Sequence, residues 1–410
     1  MLQLRPILST LRRHRTAALL IVIEIALTCA IICNAGFLIA NRIERLQFGS
    51  GLADAELVHL GTRSIGKNDN AAAGTREDLA ALRGLPGVRS AAVISTVPFG
   101  HQSRNSGIGM VPDQPAPTIE VAMYNGDVGL VSTLGLKMVA GRDFKPDEIV
   151  DEEEFDKSDN SNLAGVIVTR AVAERLFPGT DADAVGKAFY LFGPAPVRIV
   201  GVVDRLASPH PDKGDQRDLY SVILPIRPTF DGGTYLLRTD PAQRDSVLKA
   251  AIAALERVNP HRVAQEHGTF EDLRGDYYKT DLSMVWLLAG VCIALLVVTA
   301  FGIVGLASFW VQQRTRMIGT RRALGATRGQ ILRYFQTENL LLTSAGIALG
   351  MLGAFGVNQW LMTQYELPRL PALYLPLGAL VLWALGQVAV LAPARRAAAL
   401  PPAHAMRGLG

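Results

Sequence analysis

Gly61, Gly66 and Lys67 stand at the spacing of a phosphate-binding loop, where backbone N–H groups cradle a phosphate and the lysine reaches it. Asn68 takes the place of the Ser or Thr that would hold Mg²⁺, and the small, polar run from Asp69 to Gly74 predicts no long helix behind it. A nucleotide site is therefore disfavoured. The histidines are scattered: His261 and His267 are six residues apart, and His59, His101 and His210 have no ligand spacing. Neither a zinc site nor a Ser-His-Asp arrangement emerges, and no nucleophile-elbow motif is present. Cys29 and Cys33 are one helical turn apart without a His or acid partner, and Cys292 stands alone, so all three are expected to pack rather than bind metal. No catalytic residue and no metal ligand is expected in this chain.

Arginine is the informative residue type. Arg314, Arg316, Arg321, Arg322, Arg328 and Arg333 follow one another with no acid until Glu338, and Ile318 and Leu324 give the segment an apolar side. The pattern predicts a short basic amphipathic helix ending at Gly325. Such a helix either lies on anionic headgroups or docks a partner, and periodicity does not choose between them. A second isolated charge, Glu24, sits inside an apolar run, where a carboxylate is expensive unless it is protonated or faces a polar seam. Thr28, Thr299, Ser308 and Gln387 are its candidate partners.

The elements that carry these residues follow from composition. Of 410 residues 49% are apolar and only 19% charged, against about 25% charged in a soluble domain. The apolar excess is concentrated in four runs, from about Ala17 to Ala40, Met284 to Val311, Leu340 to Trp360 and Leu370 to Ala392, each long enough to cross a bilayer core of about 30 Å. Charge is segregated as well. Residues 42–282 carry 27 Lys and Arg against 34 Asp and Glu, net −7, and the remainder of the chain is net +11. Arg5, Arg12, Arg13 and Arg15 precede the first run, the arginine segment separates the second from the third, and Arg395, Arg396 and Arg407 follow the fourth. The positive-inside rule makes those three segments cytoplasmic, with both termini inside and residues 41–282 outside. The basic excess belongs to a membrane surface rather than to nucleic acid. The first run is longer than a signal-peptide core and lacks a small-residue cleavage site, so it is expected to be an uncleaved anchor.

The external region contains no cysteine and must hold by packing alone. It has mixed α/β character: a helix from Arg76 to Arg83, strands at Ser90 to Val97, Gly165 to Thr169, Val197 to Val203 and Tyr235 to Arg238, and helices at Arg170 to Leu176 and Pro241 to Val258. Two helix-and-strand units flank the middle, which suggests a domain assembled from both ends of the region. The acidic run Asp151 to Asp159 is expected to be a solvated loop. Phe270, Leu273 and Tyr277 continue the second span outward at helical spacing, and Ile43 and Leu46 continue the first, which predicts a packed helical stalk.

The segment from Arg314 to Ala326 resembles the R-x-x-E-I-G-I-R-R-A-L-G-A signature of the MacB/FtsX-like permease family of ABC transporters. Pro393 to Ala398, with Pro402 and Arg407, is similar to that family's terminal P-A-x-R-A-A-x-x-x-P-x-x-A-L-R. Leu11 to Thr16, Leu134 to Phe144, Glu174 to Gly179, Val185 to Lys187 and Ile199 to Val203 are similar to other family segments. Met317 replaces the signature's acid and Thr320 its second Ile.

The resemblance implies a polytopic α-helical membrane protein of four transmembrane helices with a large mixed α/β extracytoplasmic domain between helices 1 and 2. The domains would run 1–16 (cytoplasmic amphipathic helix), 17–40 (helix 1), 41–282 (periplasmic α/β domain with stalk), 283–311 (helix 2), 312–339 (cytoplasmic coupling segment), 340–360 (helix 3), 361–369 (short periplasmic loop), 370–392 (helix 4) and 393–410 (cytoplasmic tail). It also implies a multi-pass protein of the bacterial inner membrane that binds no cofactor, with ATP and Mg²⁺ on a separate ABC ATPase. Arg316, Ile318, Gly319, Arg321, Arg322, Ala323, Leu324, Gly325 and Ala326 would couple to that subunit, and Pro393, Arg396, Pro402 and Arg407 form the terminal motif. A second permease copy, a periplasmic adaptor and an outer-membrane channel are the further partners implied, for efflux of a drug, peptide or other periplasmic substrate. The alternatives are a regulatory permease that drives a periplasmic enzyme or sensor and, less favoured, a membrane-anchored enzyme. Independently of the resemblance, Gly346, Gly350 and Ala354 recur every four residues and predict a close helix contact.

Overall fold

The computed structural model describes residues 15–65, 70–157, 163–179, 181–211, 215–231, 233–365 and 369–399. The chain divides into two units, residues 44–280 and residues 1–43 with 281–410. Helix α1 (Arg15–Leu46) leads into the first of these. There β1 (Leu57–Ser64), α2 (Ala71–Arg83) and β2 (Val88–Ile94) precede a long middle section. That section holds β3 (Asn105–Ile108), β4 (Ile119–Asn125), β5 (Met138–Gly141), β6 (Val150–Asp151), β7 (Val166–Thr169), α3 (Arg170–Leu176), β8 (Ala188–Tyr190), β9 (Pro196–Val203), β10 (Ser221–Leu224) and β11 (Ile226–Arg227). Then β12 (Thr234–Thr239), α4 (Arg244–Val258) and β13 (Arg262–Thr269) close the unit.

The first sheet has the order β13-β1-β12-β2, antiparallel throughout, so it takes two strands from each end of the region. Its strands alternate with period two. Val58, Leu60, Val93, Tyr235 and Leu237 pack with Leu79 and Leu82 of α2 and Val247 and Leu255 of α4. Their neighbours Leu57, Ala92, Ile94 and Leu236 enter a second core shared with Ala122, Tyr124, Ile167 and Ile223. Both faces are apolar because the sheet lies between two layers. The second sheet is mixed, with the order β3-β4-β10-β7-β9-β5 and β8 paired to β9. Its far face packs Val168, Val222 and Leu224 with Val172 and Leu176 of α3. A charged pair is buried under the first sheet: Asp78 accepts from both terminal nitrogens of Arg262 and from the Tyr235 hydroxyl. Its oxygens thus find donors where water is absent.

Two local expectations fail here. A 13-residue helix, α2, does follow the phosphate-loop spacing. Ala71, Ala72 and Ala73 are strong helix formers whose lack of polarity pattern hid them. Gly61 nevertheless lies inside β1, paired with Thr234, so it belongs to no loop, and residues 66–69 fall outside the described residues. The acidic run is not a solvated loop as far as Phe155. Val150 and Asp151 pair in parallel with Ile226 and Arg227, Glu152–Phe155 is a helical turn, and Phe155 is buried. The reason is a remote partner, since Arg227 donates to Asp151 at 2.8 Å.

The other unit is a helical bundle. After β13 the chain enters α5 (Phe270–Gln313), then α6 (Thr315–Ala323), α7 (Arg328–Tyr365) and α8 (Tyr374–Ala399). Helices α1, α5, α7 and α8 are long and apolar enough to cross a membrane. Most of them outrun their apolar segments, because backbone hydrogen bonding continues where hydrocarbon ends. Helix α5, of 44 residues, is about 66 Å long, and α7 begins twelve residues before Leu340. Helix α7 also extends through most of the expected 361–369 loop, and α8 starts at Tyr374 rather than 370 and passes through Pro393 into the expected tail. Within the α/β unit the first turns of α5 are tied to the end of α1, since Arg274 donates to the carbonyls of Leu46 and Phe48 and to Asp54. In the bundle Arg42 pairs with Asp281. The expected helix over 1–16 and the motif residues Pro402 and Arg407 lie, apart from residues 15 and 16, outside the described residues.

Candidate functional site

The arginine segment folds as a helix, a tight turn and a second helix start, and the sequence specifies each join. Helix α6 ends in a Schellman motif: Gly325 N–H donates to Arg322 O at 3.1 Å and Ala326 N–H to Arg321 O at 3.0 Å. Gly325 has φ +95°, which a side chain resists, so glycine is required at this point. Two residues later Thr327 caps α7. Its hydroxyl accepts from Gln330 N–H at 3.3 Å and its own N–H donates to the Gln330 side chain at 2.9 Å, a reciprocal capping box. Leu324 stands at the apex, 83% exposed.

The inner side of α6 is fastened. Ile318 packs with Val311, Ile331, Phe335, Ala394, Ala397 and Ala398, and Gly319 is buried beside it. Arg322 donates to Ala398 O at 2.7 Å, and the Arg321 guanidinium lies 5.0 Å from the Tyr334 ring centre. Arg316, Thr320, Ala323 and Leu324 face outward, and Ala326 is half-buried. Beside them Met317, Ile318, Ala326, Ile331, Tyr334 and Phe335 border a small apolar groove. The terminal motif supplies part of the seat: Pro393, Ala394, Ala397 and Ala398 are buried and Arg396 is exposed. The fold thus brings the coupling segment and the described part of the terminal motif together.

Further along the bundle, α7 meets α1. A Cβ at Gly346 would come within 2.7 Å of the Ile25 side chain, and one at Gly350 within 2.6 Å of Ala26 O. Ala354, fully buried, offers its carbonyl to Asn34 Nδ2 at 3.1 Å. The small-residue stripe therefore admits another helix of the same chain. Glu24 lies on α1, half-buried, against Gly302 of α5. Of its four candidate partners, Thr28 and Thr299 bond each other at 2.9 Å. Ser308 bonds Val304 O and Gln387 bonds Gln336 O.

One pair escaped the reading of the sequence. Arg314 donates from Nη1 to both carboxylate oxygens of Glu338, at 2.9 and 2.7 Å, with both side chains buried. The available signal was that Glu338 is the first acid after six arginines. In the α/β unit a cavity of about 580 Å³ opens beside β3 and β4, bordered by Arg175, Arg217 and His210 together with Glu120 and Asp218. This mixed lining selects no ligand charge. Among the described residues no three His, Cys, Asp or Glu side chains are grouped to hold a metal ion.

Comparison with known proteins matches both units. Residues 21–261 match the MacB-like periplasmic core domain, and residues 289–402 match the FtsX-like permease C-terminal region. The uncharacterized ABC transporter permease YvrN of Bacillus subtilis (strain 168) is 28% identical over 280 residues, 65% of this chain and 67% of YvrN. The macrolide export ATP-binding/permease protein MacB of Rhodospirillum rubrum is 30% identical over 264 residues, 62% of this chain. The chain spans only 39% of that relative's length. Among solved structures, the extracellular domain of the ABC-type transporter YknZ from Gram-positive bacteria aligns over 51% of this chain and 100% of that domain, at 15% identity and a TM-score of 0.31.

Proposed function

The chain belongs to the family of ABC-transporter permeases that join a MacB-like periplasmic core domain to an FtsX-like C-terminal region, and on that premise we propose that α6 and the turn after it dock a separate ABC ATPase. The arginine-bearing end of the bundle then faces the cytoplasm of the bacterial inner membrane, with both termini on that side. ATP and Mg²⁺ bind the ATPase, and this chain binds no cofactor of its own. Two permease copies work as a dimer. Closure of the ATPases moves α6 and, through the bundle, the periplasmic domain, and the motion expels a drug, peptide or other periplasmic substrate through an adaptor and an outer-membrane channel.

The observation that carries this reading is the exposed Leu324, held at the apex of a turn whose two helix ends are both capped and whose inner face is packed. A large apolar side chain on a fixed tip suits a partner's pocket, because buried apolar anchors carry affinity and rim charges mainly tune rate. Leu324→Asp should abolish co-purification of a co-expressed ABC ATPase while the permease still inserts. A normal complex in that variant would leave α6 as a helix that rests on the membrane surface. In the regulatory alternative the same docking drives a periplasmic enzyme instead of efflux, and purified wild-type complex would then activate that enzyme without moving cargo.

A further inference from the structure

Arg314 is the single residue between α5 and α6, where a φ of −103° and ψ of 10° distort the helix while Arg314 N–H still donates to Trp310 O at 3.0 Å and Ile318 N–H to Arg314 O at 2.9 Å. Its side chain points inward, 8% exposed, to Glu338, which is 1% exposed. Glu338 lies ten residues into α7, about 15 Å from the start of that helix. The guanidinium also stands 5.2 Å from the Trp310 ring centre. The junction between α5 and α6 is therefore bound by charge to a neighbouring helix.

The pair is poorly built for stability. A buried ion pair repays its desolvation only when its remaining hydrogen-bonding positions are filled. Here Arg314 Nη2, Trp310 Nε1 and Asn339 Nδ2 are all buried without a partner. Trp310, Glu338 and Asn339 border a cavity of about 10 Å³, roughly the space of one water molecule. Two apolar side chains of similar size would hold this region as well or better. What charge supplies and apolar packing does not is a directional bond, here from Arg314 Nη1 to both oxygens of Glu338, that favours this arrangement of the junction.

We propose that Arg314 and Glu338 are positioning residues: their pairing fixes the direction in which α6 leaves α5, and so presents Leu324 to the ATPase. The inference rests on the docking reading, but its test separates the two. Spin labels at Thr320 and Arg395, both exposed, report the direction of α6 against α8 in the full chain in nanodiscs, with no ATPase present. The unsubstituted pair should give one narrow distance distribution. The double variant Arg314→Met/Glu338→Met should melt no lower than the parent yet show a broadened distribution, and the exchanged pair Arg314→Glu/Glu338→Arg should narrow it again. Glu338→Gln, which keeps volume and hydrogen bonding, should broaden it as well and serves if the apolar double variant does not insert. With a co-expressed ATPase, Glu338→Gln should keep co-purification and lose about tenfold in permease-dependent ATP turnover. A distribution as narrow as the parent's in both the apolar double variant and Glu338→Gln overturns the proposal and leaves the pair as packing. Failure of the parent to bind any ATPase would overturn docking and leave the label result standing.

Discussion

The carboxylate of Glu24 occupies the space that a side chain at Gly302 would fill: a Cβ there would come within 2.6 Å of Oε2 and 2.8 Å of Oε1. Next to this contact the hydroxyls of Thr28 and Thr299 meet, so α1 and α5 share a narrow polar seam. Glu24→Gln keeps the shape and should leave ATP-driven activity in proteoliposomes within about twofold. Glu24→Leu should impair it with expression unchanged. A Cβ at Gly302 would meet only the end of the flexible Glu24 side chain, so Gly302→Ala should push the carboxylate aside and melt close to the parent while disturbing ATP-driven activity. Normal activity of both Gly302→Ala and Glu24→Leu would reduce the contact to a tolerated neighbour.

Gly350 faces Ala26 and Cys29 of its own chain. Gly350→Leu should therefore lower the melting temperature of the single chain, by an amount that does not change with protein concentration. An effect that appears only on dilution would assign the stripe to a contact between copies.

The turn at Gly325 offers a test of α6 that leaves its surface chemistry intact. Gly325→Ala places a methyl at φ +95° and should cost about 1–2 kcal/mol. The strain falls on one loop, so circular dichroism should be unchanged while permease-dependent ATP turnover drops. Unaltered turnover would mean that the turn need not be rigid.

Acid should weaken the α/β domain in two stages. His59 is buried, with Nδ1 unpartnered and its ring edge-on to Phe270. Burial lowers its pKa below 6.5 and outweighs the opposing pull of Glu266 and Asp272. The unfolded chain therefore takes up a proton near pH 6.5 that the folded one resists, and stability present above that pH is lost as pH falls through it. Glu148, held at about 2 by its hydrogen bonds to Arg142, loses its contribution only as pH falls from about 4.5 toward 2. Amide exchange in β1, corrected for intrinsic rates, should be faster at pH 5 than at pH 7.5, and His59→Phe should flatten the difference. An equal pH response in that variant would exclude His59 as the cause.

How far the sequence revealed these features depends on the range of the interaction. The four apolar runs were legible because lipid demands about 20 apolar residues in succession, and α6 because its turn is written in five adjacent residues. The capping box was equally local, Thr327 and Gln330, but its signal was obscured by the arginines around it. Arg314 and Glu338 are 24 residues apart, and a count of flanking charge treats the first as one more cation. From sequence Glu24 is expected to seek a hydroxyl or amide, whereas it faces a glycine, whose missing side chain cannot be recognised there as a partner. Asp151 likewise waits for Arg227, 76 residues away.

The split of the first sheet dictates an order of events during folding. Gly61 pairs with Thr234 and Val58 with Thr269, so β1 stays unmatched while about 170 residues emerge, and the second sheet, drawn wholly from residues 105–224, can collapse first. Closing so long a loop is the slow, entropically opposed step, and it ends at Phe270, the first residue of α5. Pulse-labelled hydrogen exchange during refolding should find β7 and β9 protected before β1. The α/β domain of this permease would thus be complete only after its longest-range contact had formed.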